Sequence, residues 1–212
     1  DFCLSRGLGD VYKRQDVMLR TVCLIAVTVW FTRQGAAQGA VILAVNTLLM
    51  QLFLLFSYMM DGFAFAGEAL VGKYVGACDS KALRRCIKWV FGWGFALAAL
   101  FTALYFLGGE AFLGILSGDA DVISASKEYY AWAAVVPFAG FAAFVWDGVF
   151  IGATLTRQLL LSMAGAMATF FAVFFLFFPS MGNHALWLAF IMYLFMRGAL
   201  QTWLFRVVSY KL

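Results

Sequence analysis

Residues 89–109, WVFGWGFALAALFTALYFLGG, form a run of 21 positions without a single charge. A helix rises about 1.5 Å per residue, so a run of this length covers the roughly 30 Å hydrocarbon core of a bilayer. Five further regions meet or nearly meet the same test. The first covers about 17–36, with Arg20 and Arg33 near its ends, where long basic side chains can snorkel to the headgroups. The second covers 37–77 and is charge-free up to Asp61. It is too long for one straight span, which predicts a kink near Asp61-Gly62 or a cytosolic extension. The fourth covers 129–154, with Pro137 inside it and Asp147 near its far end. The fifth covers 158–178, and Pro179, Gly182 and Asn183 then predict a short turn. The sixth covers 185–207 and contains Arg197. The expected fold is an all-α polytopic membrane protein of six transmembrane helices.

Composition agrees. Of 212 residues, 65% are hydrophobic, 12% are charged and 24 are Phe. Soluble domains carry roughly 25% charged and 45–50% apolar residues, so this chain lacks the polar groups to cover its apolar surface in water. The net charge of +4 is modest, and the basic residues flank apolar runs instead of forming one stripe. The expected partner is therefore the lipid bilayer and not nucleic acid. Cys3, Cys23, Cys78 and Cys86 show no C-x-x-C spacing and no accompanying His cluster, so they read as unpaired thiols with no metal site and no cofactor.

Residues 1–15 are polar and basic, unlike the apolar remainder of the chain, and are set apart from the six-helix unit 16–212 as a linker or non-native leader. With the start placed on the cytoplasmic side, Lys13, Arg14, Lys73, Lys81, Arg84, Arg85, Lys88, Arg157, Arg206 and Lys211 all fall inside, and only Arg33 and Lys127 fall outside. That asymmetry predicts a multi-pass protein of the cell membrane with both termini cytoplasmic. Residues 81–88 read as an anchor at an anionic leaflet. The loop 108–128 would lie outside, with Glu110, Asp119, Asp121 and Glu128, and residues 111–116 within it could form a short interfacial helix. His184 reads as a capping residue of the outer turn. Trp30, Trp89, Tyr129, Tyr130 and Trp203 fit aromatic belts at the span ends.

An ionisable side chain at bilayer depth costs several kcal/mol unless it is paired or wetted, so such residues are the first candidates for function. There are four: Asp61, Glu68, Asp147 and Arg197. Asp61 and Glu68 are two turns apart and share a helix face. The alternative for both is an interfacial cap or a partner for Lys73. Asp147 is a candidate for proton or cation handling, or for a hydrogen bond that fixes helix packing. Arg197 cannot lose its proton and needs a carboxylate or a watery cavity; Asp61 and Asp147 are the candidate partners. Gly72-x-x-x-Gly76 and Gly148-x-x-x-Gly152 allow close helix contact. Pro137 removes a helix hydrogen bond and predicts a bend, static or mobile, and Gly62 is a candidate hinge. Gly7-Leu8-Gly9-Asp10 matches a G-x-G-D protease pattern but lies in the polar leader, outside any span. No G-x-S-x-G, H-E-x-x-H or P-loop occurs, so no enzyme activity is expected.

Four blocks go further. Residues 16–21, DVMLRT, resemble the opening of the seventh helix of multidrug and toxic compound extrusion (MATE) transporters of the DinF subfamily. Residues 61–72, DGFAFAGEALVG, resemble the eighth-helix signature of that subfamily, residues 146–154, WDGVFIGAT, the tenth, and residues 182–190, GNHALWLAF, the start of the twelfth. The resemblance covers about residues 16–207. It implies twelve helices in two six-helix lobes, with substrate between them and export driven by H⁺ or Na⁺. This chain would be the C-terminal lobe, and the N-terminal six-helix lobe its missing partner. Some Na⁺-coupled members hold the ion in this lobe through an acid of the seventh helix and an Asp of the tenth. Asp147 matches the second, but residues 21–32 contain no acid to match the first. The resemblance therefore favours an H⁺-coupled antiporter exporting amphipathic, often cationic small molecules. Alternatives are a flippase for lipid-linked precursors, which would need a strongly basic cavity, a membrane-embedded enzyme, and a fragment that transports nothing.

Overall fold

A computed structural model of the chain describes the backbone of residues 2–209 and the side chains of residues 14–207 apart from Glu110. The side chains of Cys3, Lys13, Glu110, Lys211 and the Gly7–Asp10 motif lie outside the described residues. Six helices and no strand are found among the described residues: α1 Phe2–Ala37, α2 Ala40–Gly76, α3 Ser80–Leu116, α4 Ala120–Gly152, α5 Thr156–Met181 and α6 Asn183–Ser209. Each contains a stretch long and apolar enough to cross a bilayer. The chain is a six-helix, multi-pass membrane protein. Its outward faces carry bare apolar side chains, such as Leu107 (88% exposed) and Ile115 (80%), as lipid-facing surfaces do.

The helices are longer than the apolar runs that announce them. α2 is one continuous helix through Asp61-Gly62. α3 begins at Ser80, and the basic stretch 81–88 forms its first turns. Residues 111–116 are the last turns of α3 and not a separate interfacial helix. The expected outer loop shrinks to Ser117–Asp119, because α4 already starts at Ala120, where Asp119 Oδ1 caps the amides of Asp121 and Val122. Pro179 sits inside the last turns of α5. Only Gly182, at φ +54°, separates α5 from α6. The polar residues 2–15 are helical and run directly into α1. In each case apolarity marks the part of a helix that lipid must surround, while the helix itself continues wherever backbone bonding and capping allow.

α4 is the most buried helix and the centre of the bundle. It packs closely along α2, which runs in the same direction, and is flanked by α3 and α6. Two glycines set the α2–α4 distance. A Cβ at Gly148 would collide with the carbonyl of Ala64, and one at Gly152 would lie 2.5 Å from the carbonyl oxygen of Glu68. A Cβ at Gly72 would lie 3.5 Å from the Gly152 carbonyl oxygen, an ordinary contact, and one at Gly62 or Gly76 would meet open space. The closest packing thus belongs to the second glycine pair. Pro137 is buried inside α4, which is helical on both sides of it.

The largest core cluster includes Phe31, Leu49, Tyr105, Phe170, Phe190 and Trp187, each almost fully buried. Within it, Asn46 of α2 and Asn183 of α6 exchange side-chain amide bonds of 2.8 and 3.0 Å, and Trp187 Nε1 donates to Asn46 Oδ1 at 2.9 Å. Buried amides must find such partners, since leaving one unpaired costs about 1–3 kcal/mol. His184 does not cap. It accepts a bond from Trp132 Nε1 at Nδ1 (3.0 Å), which leaves its Nε2–H to donate to Glu128 Oε1 at 3.2 Å, tying α6 to α4. Of the expected belt residues, Trp89 and Trp203 are exposed. Tyr129 is buried against His184, Tyr130 donates to the Tyr105 carbonyl, and Trp30 packs on Phe171 and Phe174.

Candidate functional site

Three helices meet at Asp147. α4 carries it to a position only 6% exposed. One carboxylate oxygen, Oδ2, receives guanidinium NH2 groups from both Arg20 of α1 and Arg197 of α6. The other, Oδ1, accepts from Gln201 Nε2 at 2.7 Å. Arg197 and Gln201 are four residues apart, so consecutive turns of α6 aim both at the same carboxylate. The guanidinium of Arg197 also lies 5.7 Å from the centroid of the Phe144 ring, whose negative face favours a cation. Beside Asp147, Trp146 Nε1 donates to Thr202 Oγ1 at 2.7 Å and fixes the α4–α6 contact.

The triad borders a cavity of about 250 Å³. Asp61 of α2 also lines it, with Ser57 one turn before it; Thr28 and Tyr193 add further polar groups. Leu24, Phe53, Phe144 and Phe190 form much of the apolar wall. Two carboxylates and two guanidinium groups therefore share one enclosed space, with no net formal charge. Their bonding is unequal. Asp147 is saturated by three donors from the chain itself. Asp61 is half-buried, and among the described residues its side chain has no hydrogen-bond or ion-pair partner. The buried Nε of Arg20, Nε of Arg197 and Oε1 of Gln201 also lack partners among the described residues.

Of the four charged candidates, the fold gathers Asp61, Asp147 and Arg197 and leaves Glu68 apart. Glu68 lies about 10 Å farther along α2, two turns at about 1.5 Å per residue, outside the cavity and at the Gly152 contact. Its side chain has no bonded partner among the described residues. Lys73, the expected alternative partner for Asp61 and Glu68, sits with its Nζ 6.0 Å from the Tyr74 ring centroid. Two site residues do not stand out in the sequence. Arg20 does not snorkel; it turns inward to Asp147 and is 19% exposed. No property of its own run of sequence separates the two outcomes, because the choice depends on a carboxylate 127 positions away. Gln201 had a usable signal in its four-residue spacing from Arg197.

The MatE family model matches residues 16–176. The chain is 37% identical over 184 residues to DNA damage-inducible protein F of Escherichia coli (strain K12), which covers 87% of this chain and 40% of that protein. It is 23% identical over 149 residues to Protein DETOXIFICATION 45, chloroplastic, of Arabidopsis thaliana, covering 70% of this chain and 27% of that protein. The chain thus spans less than half the length of either of these curated relatives.

Proposed function

The chain belongs to the MatE family, and on that premise we propose that it is one six-helix lobe of a cation-coupled antiporter that exports amphipathic, cationic small molecules, with H⁺ the coupling ion. The observation that carries this reading is the unequal bonding of the two cavity carboxylates. Asp147 has its oxygens taken by Arg20, Arg197 and Gln201. The α1 helix contributes a guanidinium to Asp147 and, over residues 21–32, no acid that could complete a Na⁺ site, and a fixed internal cation competes with a transported one. Asp61 has no such partner and faces the cavity. It is the group that takes up and releases the proton, while Asp147 anchors the helices around it. The aromatic wall of Phe53, Phe144 and Phe190 suits an apolar cation, which an unpaired carboxylate would attract.

The printed names of the two relatives, one DNA damage-inducible and one a detoxification protein, are compatible with export of harmful compounds. A lipid-linked precursor flippase calls for a strongly basic cavity; this one balances two guanidinium groups with two carboxylates, so the exporter is preferred. The working molecule would include an N-terminal six-helix lobe and reside in the cell membrane with both termini cytoplasmic. The test is drug-dependent H⁺ flux in proteoliposomes holding this chain together with such a lobe. Asp61→Asn is expected to abolish the flux and flatten the pH dependence of export while the protein stays folded. If Asp61→Asn exports drug with unchanged H⁺ flux, the assignment of Asp61 fails.

A further inference from the structure

The end of α2 and the start of α3 carry five basic side chains: Lys73, Lys81, Arg84, Arg85 and Lys88. All five are exposed, and among the described residues none forms an ion pair. One acid, Asp79, lies between residues 70 and 90, and its carboxylate is already engaged, accepting from the Ala82 amide at 2.9 Å as the cap of α3. A run of basic side chains with no acidic partner suits an anion from outside the chain.

One of them, Arg85, lines a groove of about 270 Å³ between the two helices, together with Leu70 and Tyr74 of α2 and Cys86, Trp89 and Val90 of α3. Arg85 reaches the groove itself. Lys81 and Lys88 stand one turn to either side of it on the same face of α3. Lys73 adjoins the groove residue Tyr74 in the chain, with its Nζ 6.0 Å from the Tyr74 ring centroid. One turn beyond Arg85, about 6 Å along the axis at 1.5 Å per residue, the lining becomes apolar and open: Trp89 is 64% exposed and Leu70 41%. An aqueous anion would use only the charged end of this groove. A molecule with a phosphate at one end and hydrocarbon at the other matches both ends. Trp89 also has the amphipathic character of residues that settle at headgroup depth.

We propose that this groove binds an anionic glycerophospholipid, its phosphodiester held by the Arg85 guanidinium with Lys73, Lys81 and Lys88 around it, and one acyl chain lying along Leu70, Trp89 and Val90. This site is separate from the carboxylate cavity and stands whether or not the transport reading does. General attraction of basic residues to an anionic surface does not saturate at one lipid; a groove does. The chain is placed in phosphatidylcholine nanodiscs containing a small fraction of brominated phosphatidylglycerol or, in a parallel series, brominated phosphatidylcholine. Quenching of Trp89 is taken as the difference between the chain and its Trp89→Phe variant. The expected result is saturable quenching by phosphatidylglycerol at a several-fold lower mole fraction than by phosphatidylcholine. The Arg85→Gln/Lys73→Gln double variant, altered only at exposed positions, should lose that preference, and Arg33→Gln should keep it. Equal quenching by the two lipids, or a preference that survives in the double variant, overturns the proposal. So does removal of the preference by millimolar inorganic phosphate, which would assign the cations to a soluble anion.

Discussion

Asp147 holds its place because two guanidinium groups and an amide converge on it, and the arrangement makes it structurally indispensable in a way Asp61 is not. Removing the charge in Asp147→Asn leaves Arg20 and Arg197 facing each other in a buried space. Breaking a buried pair in this manner costs about 3–5 kcal/mol, so a pronounced drop in melting temperature in detergent is expected. Adding Arg20→Gln to Asp147→Asn should recover part of that loss, since one uncompensated charge is removed; a cycle in which the two losses simply add would contradict the contact. Asp61→Asn breaks no bond among the described residues and should melt close to the parent. A second residue-scale prediction concerns Gly148. An added Cβ meets the backbone of Ala64, which cannot rotate away as a side chain could. Gly148→Ala should therefore destabilise by about 1–3 kcal/mol, the usual cost of overpacking, while Gly62→Ala, in open space, should be neutral or slightly stabilising by the same unfolding measurement. The charged candidates were legible because an acid or a base in an apolar run stands out against its neighbours. Arg20 was not, because it lies near the end of its run, where snorkelling and inward pairing look alike.

At the scale of elements, the ends of α2 and α4 repeat one design. After Gly76, Cys78 takes φ +54°, its amide bonds the Val75 carbonyl, and the Asp79 amide bonds the Tyr74 carbonyl. After Gly152, Thr154 takes φ +57°, its amide bonds the Ile151 carbonyl, and the Leu155 amide bonds the Phe150 carbonyl. Both are Schellman closures, which satisfy carbonyls that the last turn leaves open. Neither carries the glycine that ordinarily signals one, so these helix ends, decided by capping, lie a few residues from where apolarity alone places them. A β-branched residue in the left-handed region is strained by roughly 1–2 kcal/mol. Thr154→Gly should therefore raise stability by about 1 kcal/mol, net of the added freedom of the unfolded chain, as read by denaturant or thermal unfolding in detergent; a loss of stability would show that the Thr154 side chain contributes more than its strain costs. The long α3 and α4 were likewise only half visible in the sequence. Their polar first turns are helical because Asp79 and Asp119 cap them, a local bond that an average over a hydrophobic window does not register.

For the whole molecule, the basic ends of α2 and α3 and the α4–α5 turn lie at the same end of the bundle, opposite Gly39, Gly182 and the α3–α4 turn, as alternating short connections require. Cys78 is exposed in one of the basic-end turns. In a variant keeping Cys78 as its only cysteine, a membrane-impermeant maleimide should label inside-out vesicles and leave right-side-out cells unlabelled; the reverse pattern would invert the proposed topology. The chain belongs to the MatE family and covers 40% of one relative's length, so the proposed second lobe can be tested directly. Expressed alone, the chain should insert in membranes yet leave dye accumulation in cells unchanged, and co-expression with an N-terminal six-helix lobe should lower it. Efflux by this chain alone would refute the two-lobe reading.

Six bilayer crossings and the side chains that would be costly there could be read from the residues alone, because hydrophobic length and isolated charge are properties of a segment taken without its neighbours. The MatE resemblance was legible for a similar reason, being carried by short contiguous blocks. Which carboxylate is bound and which is left without a partner among the described residues emerged from the packing of the helices. That Asp147 takes both arginines while Asp61 faces the cavity depends on how α1, α2, α4 and α6 rotate against one another. Those rotations are set by side-chain packing and by the glycine contacts between α2 and α4, interactions between residues far apart in the chain that no single segment encodes.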